Sequence, residues 1–259
     1  MTHMTDTSPV PSDLDLPRIE RVRHDLRRRR LTVAATERLT PHMIRITLSG
    51  AEMEGFTSLS PADHIKIFVP DGQGGTQMRD YTPRRYDAAT GTLLIDFAVH
   101  EAGPATRWAL DARVGDEVEI GGPRGSMVIG GAIRNWLLIG DETALPSIGR
   151  RIEEFAPGTT VTSLVAVPGP EDEQRFETEA RLTALWVHRR DPREVGPLLE
   201  PLKGIDIPAG TFVWLAAEAS VTRAIRAHLL GERQVPPGWL RASGYWVHGT
   251  ADATEKFED

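Results

Sequence analysis

The sequence predicts two domains in series: an N-terminal antiparallel β-barrel, then a C-terminal α/β layer on a parallel sheet. Three observations predict it. Between about residues 31 and 130, apolar residues fall in short, often alternating runs punctuated by Gly and Pro clusters. After about residue 131, continuous apolar runs are followed by segments with helical spacing. A chain of 259 residues can also form two domains of ordinary size.

Residues 1–19, rich in Pro, Ser, Thr and Asp and without periodicity, read as a mobile tail before folding starts near Leu31. The basic run RVRHDLRRRR (21–30) reads as a solvated arm or a contact for an anionic partner. Six strands are expected next: LTVAATERLT, MIRITLSG, HIKIFVP, TLLIDFAV, EVEIGG and MVIG. In MIRITLSG, Ile44, Ile46 and Leu48 alternate with Arg45 and Thr47. One helix, in GPATRWALDAR (103–113), interrupts the barrel, with Pro104 in the first turn, where no amide donor is needed. The first domain is thus placed at 20–131 and the second at 132–259. In the second, WLLIG (136–140) reads as a buried strand. The helix after it spaces Leu145, Ile148, Ile152 and Phe155 along one face. TVTSLVAV, LTALWVH and TFVWLAA read as further strands, and SVTRAIRAHLL as a helix.

Composition excludes several classes. The chain is 40% hydrophobic and 26% charged, in the range of globular proteins. Its apolar runs fall short of the ~20 residues a membrane-spanning helix needs. The N-terminus has no signal-peptide pattern, so a cytoplasmic protein is expected. With no cysteine there is no thiolate nucleophile, disulfide or Cys-held cluster. No two of the eight histidines lie at helical metal-pair spacing. A net charge of −7 argues against nucleic acid as a partner.

Three segments carry chemistry. In RDYTPR (79–84) an extended chain places Arg79 and Tyr81 on one face and turns Thr82 away. One aromatic plane, one cation and one hydroxyl suit a flavin, though Tyr81 equally suits a core cap. In DFAVHEAGPATRWA (96–109) a strand ending at Val99 and His100 leads to a helix N-terminus. Its free amides and the Thr106 hydroxyl could cradle a pyrophosphate. Trp108 there fits either core packing or a ligand, and His100 either a satisfied strand-end histidine or a contact. In GDETALP (140–146) Gly140 permits a tight turn and Asp141 or Thr143 can cap. This is not the dinucleotide glycine motif, so a simple capped helix fits as well.

On these segments, with GPRGS (122–126), WLAAE (214–218) and GYWVHG (244–249), the chain resembles the siderophore-interacting proteins over about residues 25–250. These are FAD-containing ferric-siderophore reductases with a ferredoxin-reductase-like fold. The resemblance makes the first domain FAD-binding and the second NAD(P)H-binding-like. It implies cofactor contacts from Arg79, Asp80, Tyr81 and Thr82 near the ring, and from Asp96, Val99 and His100 on its pyrimidine side. Ala105, Thr106 and Trp108 would lie along the phosphates and adenosine, with Thr143 and Ala144 approaching from the second domain. No catalytic side chain is implied, because electrons pass outer-sphere through FAD to a ferric siderophore.

Lys66, Arg124 and His248 are the substrate candidates. Val247 and His248 stand where the family often has basic residues, which weakens the case for a strongly anionic chelate. NADH or NADPH would supply electrons, with ferredoxin an alternative donor and partner. Acidic Glu171, Asp172 and Glu173 past the second strand would repel the extra phosphate of NADPH and tolerate NADH. A monomer is expected. The competing readings are a general flavin or quinone reductase of the same fold, and a non-catalytic protein that binds ferric chelate or flavin.

Overall fold

Strand pairing in the computed structural model, which describes residues 16–100, 103–250 and 252–257, begins at Arg18 rather than near Leu31. Strand β1 (Arg18–Arg23) pairs antiparallel with β9 (Gly125–Gly130) as a two-stranded ribbon. Its side chains are almost all exposed, so backbone pairing alone holds it and no buried face marks it in the sequence. Most of the expected tail, residues 1–15, lies outside the described residues. The basic run divides between β1 and the start of β2 (Arg28–Thr40).

The barrel is a seven-stranded antiparallel sheet. Besides β2 it contains β3 (Met43–Ser49), β4 (Ile65–Pro70), β5 (Thr76–Tyr81), β6 (Arg85–Asp87), β7 (Thr92–Ala98) and β8 (Glu117–Gly121). Their order is β5-β4-β8-β2-β3-β7-β6. The expected alternation holds: Ile44, Ile46 and Leu48 are buried, while Arg45 and Thr47 lie half-exposed. Ile65, Ile67, Val69, Leu93, Ile95, Phe97 and Ile120 complete the core. The sheet curls until β5 returns to β7, where the Tyr81 and Phe97 rings meet at 4.3 Å. Helix α1 (Pro104–Asp111) closes one end, and Trp108 reaches Phe97 at 5.6 Å.

The second domain is a six-stranded sheet ordered β12-β11-β10-β13-β14-β15. Strands β10 (Asn135–Asp141), β11 (Thr160–Val167), β12 (Arg181–His188), β13 (Thr211–Glu218) and β14 (Leu240–Trp246) run parallel, and β15 (Glu255–Lys256) pairs antiparallel at the edge. Helices α2 (Leu145–Glu154), α3 (Gly196–Gly204) and α4 (Ala219–Gly231) connect them. Leu145, Ile148 and Ile152 are buried on α2 as their spacing predicts, and Phe155 packs partly buried on the same core. No α-helix joins β11 to β12: a short turn at Pro170–Asp172 and an extended run take its place.

The chain moves outward from β10 to β12, then crosses back to β13 on the other side of β10. The sheet therefore has its topological switch point between β10 and β13, where α/β folds bind ligands at the carboxyl ends of strands. Gly140 is required there: a Cβ would meet Ala216 O at 2.8 Å and Ala144 Cβ at 2.9 Å.

The two domains are bonded together. Arg150 on α2 donates to Pro83 O (2.9 Å), Ser58 O (2.9 Å) and Ser58 Oγ (2.8 Å). Arg84 pairs with Glu153, and His42 Nδ1 meets Asp172 Oδ2 at 2.7 Å. Among the described residues, no helix is long and apolar enough to cross a membrane.

Candidate functional site

Strand β5 alternates as its sequence predicts, with Gln77, Arg79 and Tyr81 on the less exposed face. Tyr81 lies half-buried on Phe97, and burial raises its phenol above the usual value. The Arg79 guanidinium folds back on Met78 O and Gln77 Oε1, both at 2.7 Å. Asp80 faces the opposite way and meets Lys66 Nζ at 2.9 Å across the β4–β5 hairpin. The Asp80 side chain thus helps hold the hairpin. Thr82, buried, shares a 3.1 Å hydrogen bond with Ser147 Oγ, which in turn lies 3.1 Å from Tyr245 OH. Its hydroxyl joins the barrel to α2 and β14.

The Asp96 carboxylate is buried and takes two bonds from Arg45, at 2.7 and 2.8 Å. Only its backbone remains for a ligand. Val99 N donates to His42 O, so the odd-numbered residues of β7 turn their polar backbone groups toward β3. Leu94 O faces the other side and accepts from Arg84 N, and no strand pairs with that side of β7 beyond Leu94. The backbone groups of Asp96 and Ala98 thus form an open edge immediately beside Thr82 and Pro83.

Helix α1 begins at Gly103, whose missing side chain leaves the helix uncapped; a Cβ there would meet nothing within 4 Å. Ala105 and Thr106 are buried behind it and Trp108 half-buried. An aromatic platform, an unpaired backbone edge and an uncapped helix N-terminus on one barrel end fit a flavin dinucleotide.

The second domain faces this end with an acidic, internally satisfied cluster. Asp141, fully buried at the end of β10, accepts at Oδ1 from Thr143 N (2.9 Å) and Thr143 Oγ1 (2.6 Å). Its Oδ2 accepts from Glu218 N (2.9 Å) and Trp246 Nε1 (3.1 Å). Arg189 lies 3.4 Å from Asp141 and 2.9 Å from Glu142. Burial, with Asp141 beside it, pushes the Glu142 carboxyl up to about 7 against the pull of Arg189. Glu218 caps α4, accepting from Ser220 N and Val221 N, and also takes His248 N at 3.2 Å. Thr143 is half-exposed at this junction, whereas Ala144 is wholly buried in the second core and shapes the turn beneath it.

His100, exposed at the end of β7, lies nearly parallel to Trp246 at 6.3 Å, and His248 flanks the same ring at 6.2 Å. The expected residues His100 and His248 therefore meet around Trp246, and Thr143 is linked to it through Asp141. Lys66 and Arg124 do not join them. Lys66 is held by Asp80 and by Asp252 at 3.3 Å, and exposed Arg124 bonds through its carbonyl to His24 N.

Asp172 is buried against His42, and Glu173 sits 2.9 Å from His188 Nε2. Of the acidic triplet, Asp172 and Glu173 are engaged within the chain, and Glu171 is exposed. Beside the triplet, in the place of the missing helix, lies a cleft of about 540 Å³ lined by Glu173, Arg175, Phe176 and Trp186, among others. Asp141 was expected only as a possible helix cap, and Arg189, Glu218 and Trp246 carried no expected role. Only their positions at four strand ends, distant in sequence, bring them together.

Comparison with known proteins places these features. A siderophore-interacting protein family model matches residues 133–249, and a siderophore-interacting FAD-binding domain model matches 32–77 and 74–127. An Escherichia coli protein named NADPH-dependent ferric-chelate reductase is 32% identical over 249 residues, covering 88% of this chain and 96% of that one. A Vibrio cholerae protein named ferric vibriobactin reductase is 26% identical over 234 residues, covering 82% and 86%. The crystal structure of a siderophore utilization protein from T. fusca superposes with a TM-score of 0.85 at 34% identity, covering 91% of this chain and 98% of that one. A ferredoxin reductase of carbazole 1,9a-dioxygenase shares the fold at a TM-score of 0.64 and 18% identity. The chain belongs to the siderophore-interacting protein family, with an N-terminal FAD-binding domain.

Proposed function

We propose that this protein is a cytoplasmic, monomeric, FAD-dependent reductase of ferric siderophores that draws its electrons from a nicotinamide dinucleotide. One observation carries the reading. The aromatic platform of Tyr81, the open β7 edge and the uncapped N-terminus of α1 lie together on the barrel end that faces the switch point of the second domain.

Arg79, Tyr81 and Thr82 would hold the flavin end of FAD. The backbone from Asp96 to His100 would meet its pyrimidine side, and Ala105, Thr106 and Trp108 its phosphates and adenosine. When bound, FAD supplies the conversion of a two-electron donor into one-electron steps, which suits Fe³⁺ as acceptor. The chain's own residues position and insulate. Asp141, held by Thr143, Glu218, Trp246 and Arg189, fixes the floor of the interdomain cleft. Trp246 and the flanking His100 and His248 form its wall. Ferrous iron leaves because hard oxygen donors hold it less tightly than Fe³⁺.

The cleft beside β12 supports a dinucleotide donor, with Phe176 and Trp186 offering aromatic surface and Arg175 a forked cation for the extra phosphate of NADPH. Glu173 and Arg175 both line this cleft, so NADPH is preferred over NADH only if Arg175 meets the extra phosphate. Steady-state reduction of a ferric chelate with each nucleotide tests this. Arg175→Ala is expected to lower kcat/KM for NADPH roughly tenfold, the worth of one charge-assisted contact, and to leave NADH within about twofold. Equal losses with both nucleotides would contradict the assignment.

A further inference from the structure

The C-terminal tail does something the cofactor site does not require. It leaves β14 at Trp246, turns through a bridge between Val247 and Thr250, and returns as β15 against Ser243 and Gly244. Arg223 clamps Glu255 at 2.6 Å, so the tail is anchored where it rejoins the sheet. Between these anchors Asp252, in the left-handed region at φ 55°, crosses to the barrel and meets Lys66 Nζ at 3.3 Å. Lys66 already meets Asp80 at 2.9 Å, and by register Ile65 and Lys66 lie opposite Tyr81 and Asp80. The one lysine beside the flavin-holding segment is thus shared by two carboxylates, and the trio carries a net negative charge.

Among the described residues, the ion pairs of Asp80 and Asp252 include no second cation. The Arg79 guanidinium, bonded to Met78 O and Gln77, belongs to the proposed cofactor site. Arg193 is neutralised by Asp191 at 2.7 Å, beside His248. Glu218, which takes the His248 amide, adds a further carboxylate. Arg124, on the turn past Gly121, is exposed and bonds through its carbonyl to His24 N.

Resting on the reductase reading above, the geometry points to a charge filter: Lys66, Asp80 and Asp252, beside the Tyr81 segment and on the tail that follows Trp246, select neutral or cationic ferric chelates, the tris-hydroxamate class, against tris-catecholates. Three singly charged hydroxamates balance Fe³⁺, whereas three doubly charged catecholates leave a trianion. Repulsion from Asp80 and Asp252 acts on the trianion alone, so selectivity comes from an unfavourable contact built against the wrong ligand.

Catecholates also differ from hydroxamates in redox potential, so binding must be read without reduction. Gallium(III) complexes keep the charge and shape and are not reduced. Their affinities for the FAD-loaded protein, read by flavin fluorescence, are expected to favour the hydroxamate by about tenfold or more at low salt. The gap should close as salt screens it. Asp252→Asn, which tolerates the positive φ, should tighten the catecholate about three- to tenfold and leave the hydroxamate within about twofold. Lys66→Met, which removes the cation and keeps both carboxylates, should widen the preference. A catecholate that binds as tightly as the hydroxamate, or an Asp252→Asn change that tightens both alike, would overturn the filter. If gallium binding follows this pattern while the ferric hydroxamate fails to reoxidise reduced protein, the filter stands and the reductase reading falls.

Discussion

Glu142 shows how a residue's setting at the switch point reaches the stability of the whole chain. Its carboxyl shares a desolvated corner with Asp141 and Arg189, and burial raises it to about 7 from the ordinary 4.5. Between those values the folded protein holds a proton that the unfolded chain has released. The stabilisation is therefore complete below the unfolded value and is lost as pH rises through about 7. Glu142→Gln keeps the shape and removes the titration. Thermal melts from about pH 4.5 to 8 should show wild type losing stability relative to this variant as pH rises. Parallel curves would mean that Glu142 is ionised throughout. Asp141 nearby was legible only as one of two possible caps. That it also binds Trp246 and Glu218 depends on strand order, which no local pattern encodes.

At the scale of elements, α1 carries the most specific consequence. Its N-terminus has no side-chain cap, Gly103 stands at a backbone geometry that any residue adopts, and there is room for a side chain. An uncapped end normally costs stability, which is reasonable where a ligand phosphate takes the amides. Gly103→Asp should therefore stabilise the cofactor-free protein by about a few tenths of a kcal/mol, seen as a slightly higher melting temperature, while weakening FAD binding about tenfold or more. Tighter FAD binding in this variant would place the phosphates elsewhere. The helix itself was visible from Pro104 and its spacing, and the buried strands from their apolar runs. Helix α3 was not, because Pro197 and Pro201 disguise it, and β1 was not, because it buries no face. The absent helix between β11 and β12 is the opposite case: the pattern of the fold suggests one, and this chain leaves a cleft.

The whole molecule works through its division into two cores joined by polar contacts. Arg150, Arg84 and His42 tie α2 and the Pro170–Asp172 turn to the barrel, so the two faces of the cleft are held at a fixed spacing. The order of the three motif segments along the chain made the two-domain plan readable, and the meeting of the first two on one barrel end follows from the curl that brings β5 back to β7. The electrostatics of the filter were not readable. Lys66 stands as a candidate cation in the sequence, and only the folded tail reveals that Asp252 shares it.

The most direct test is anaerobic stopped-flow on the FAD-loaded protein, photoreduced and mixed with a ferric tris-hydroxamate in the presence of a ferrous trap. The expected result is flavin reoxidation that is first order in chelate, with two trapped ferrous ions per flavin, since the flavin delivers its electron pair singly. Reoxidation by a quinone while the ferric chelate leaves the flavin reduced would contradict the account and leave only a flavin-binding fold.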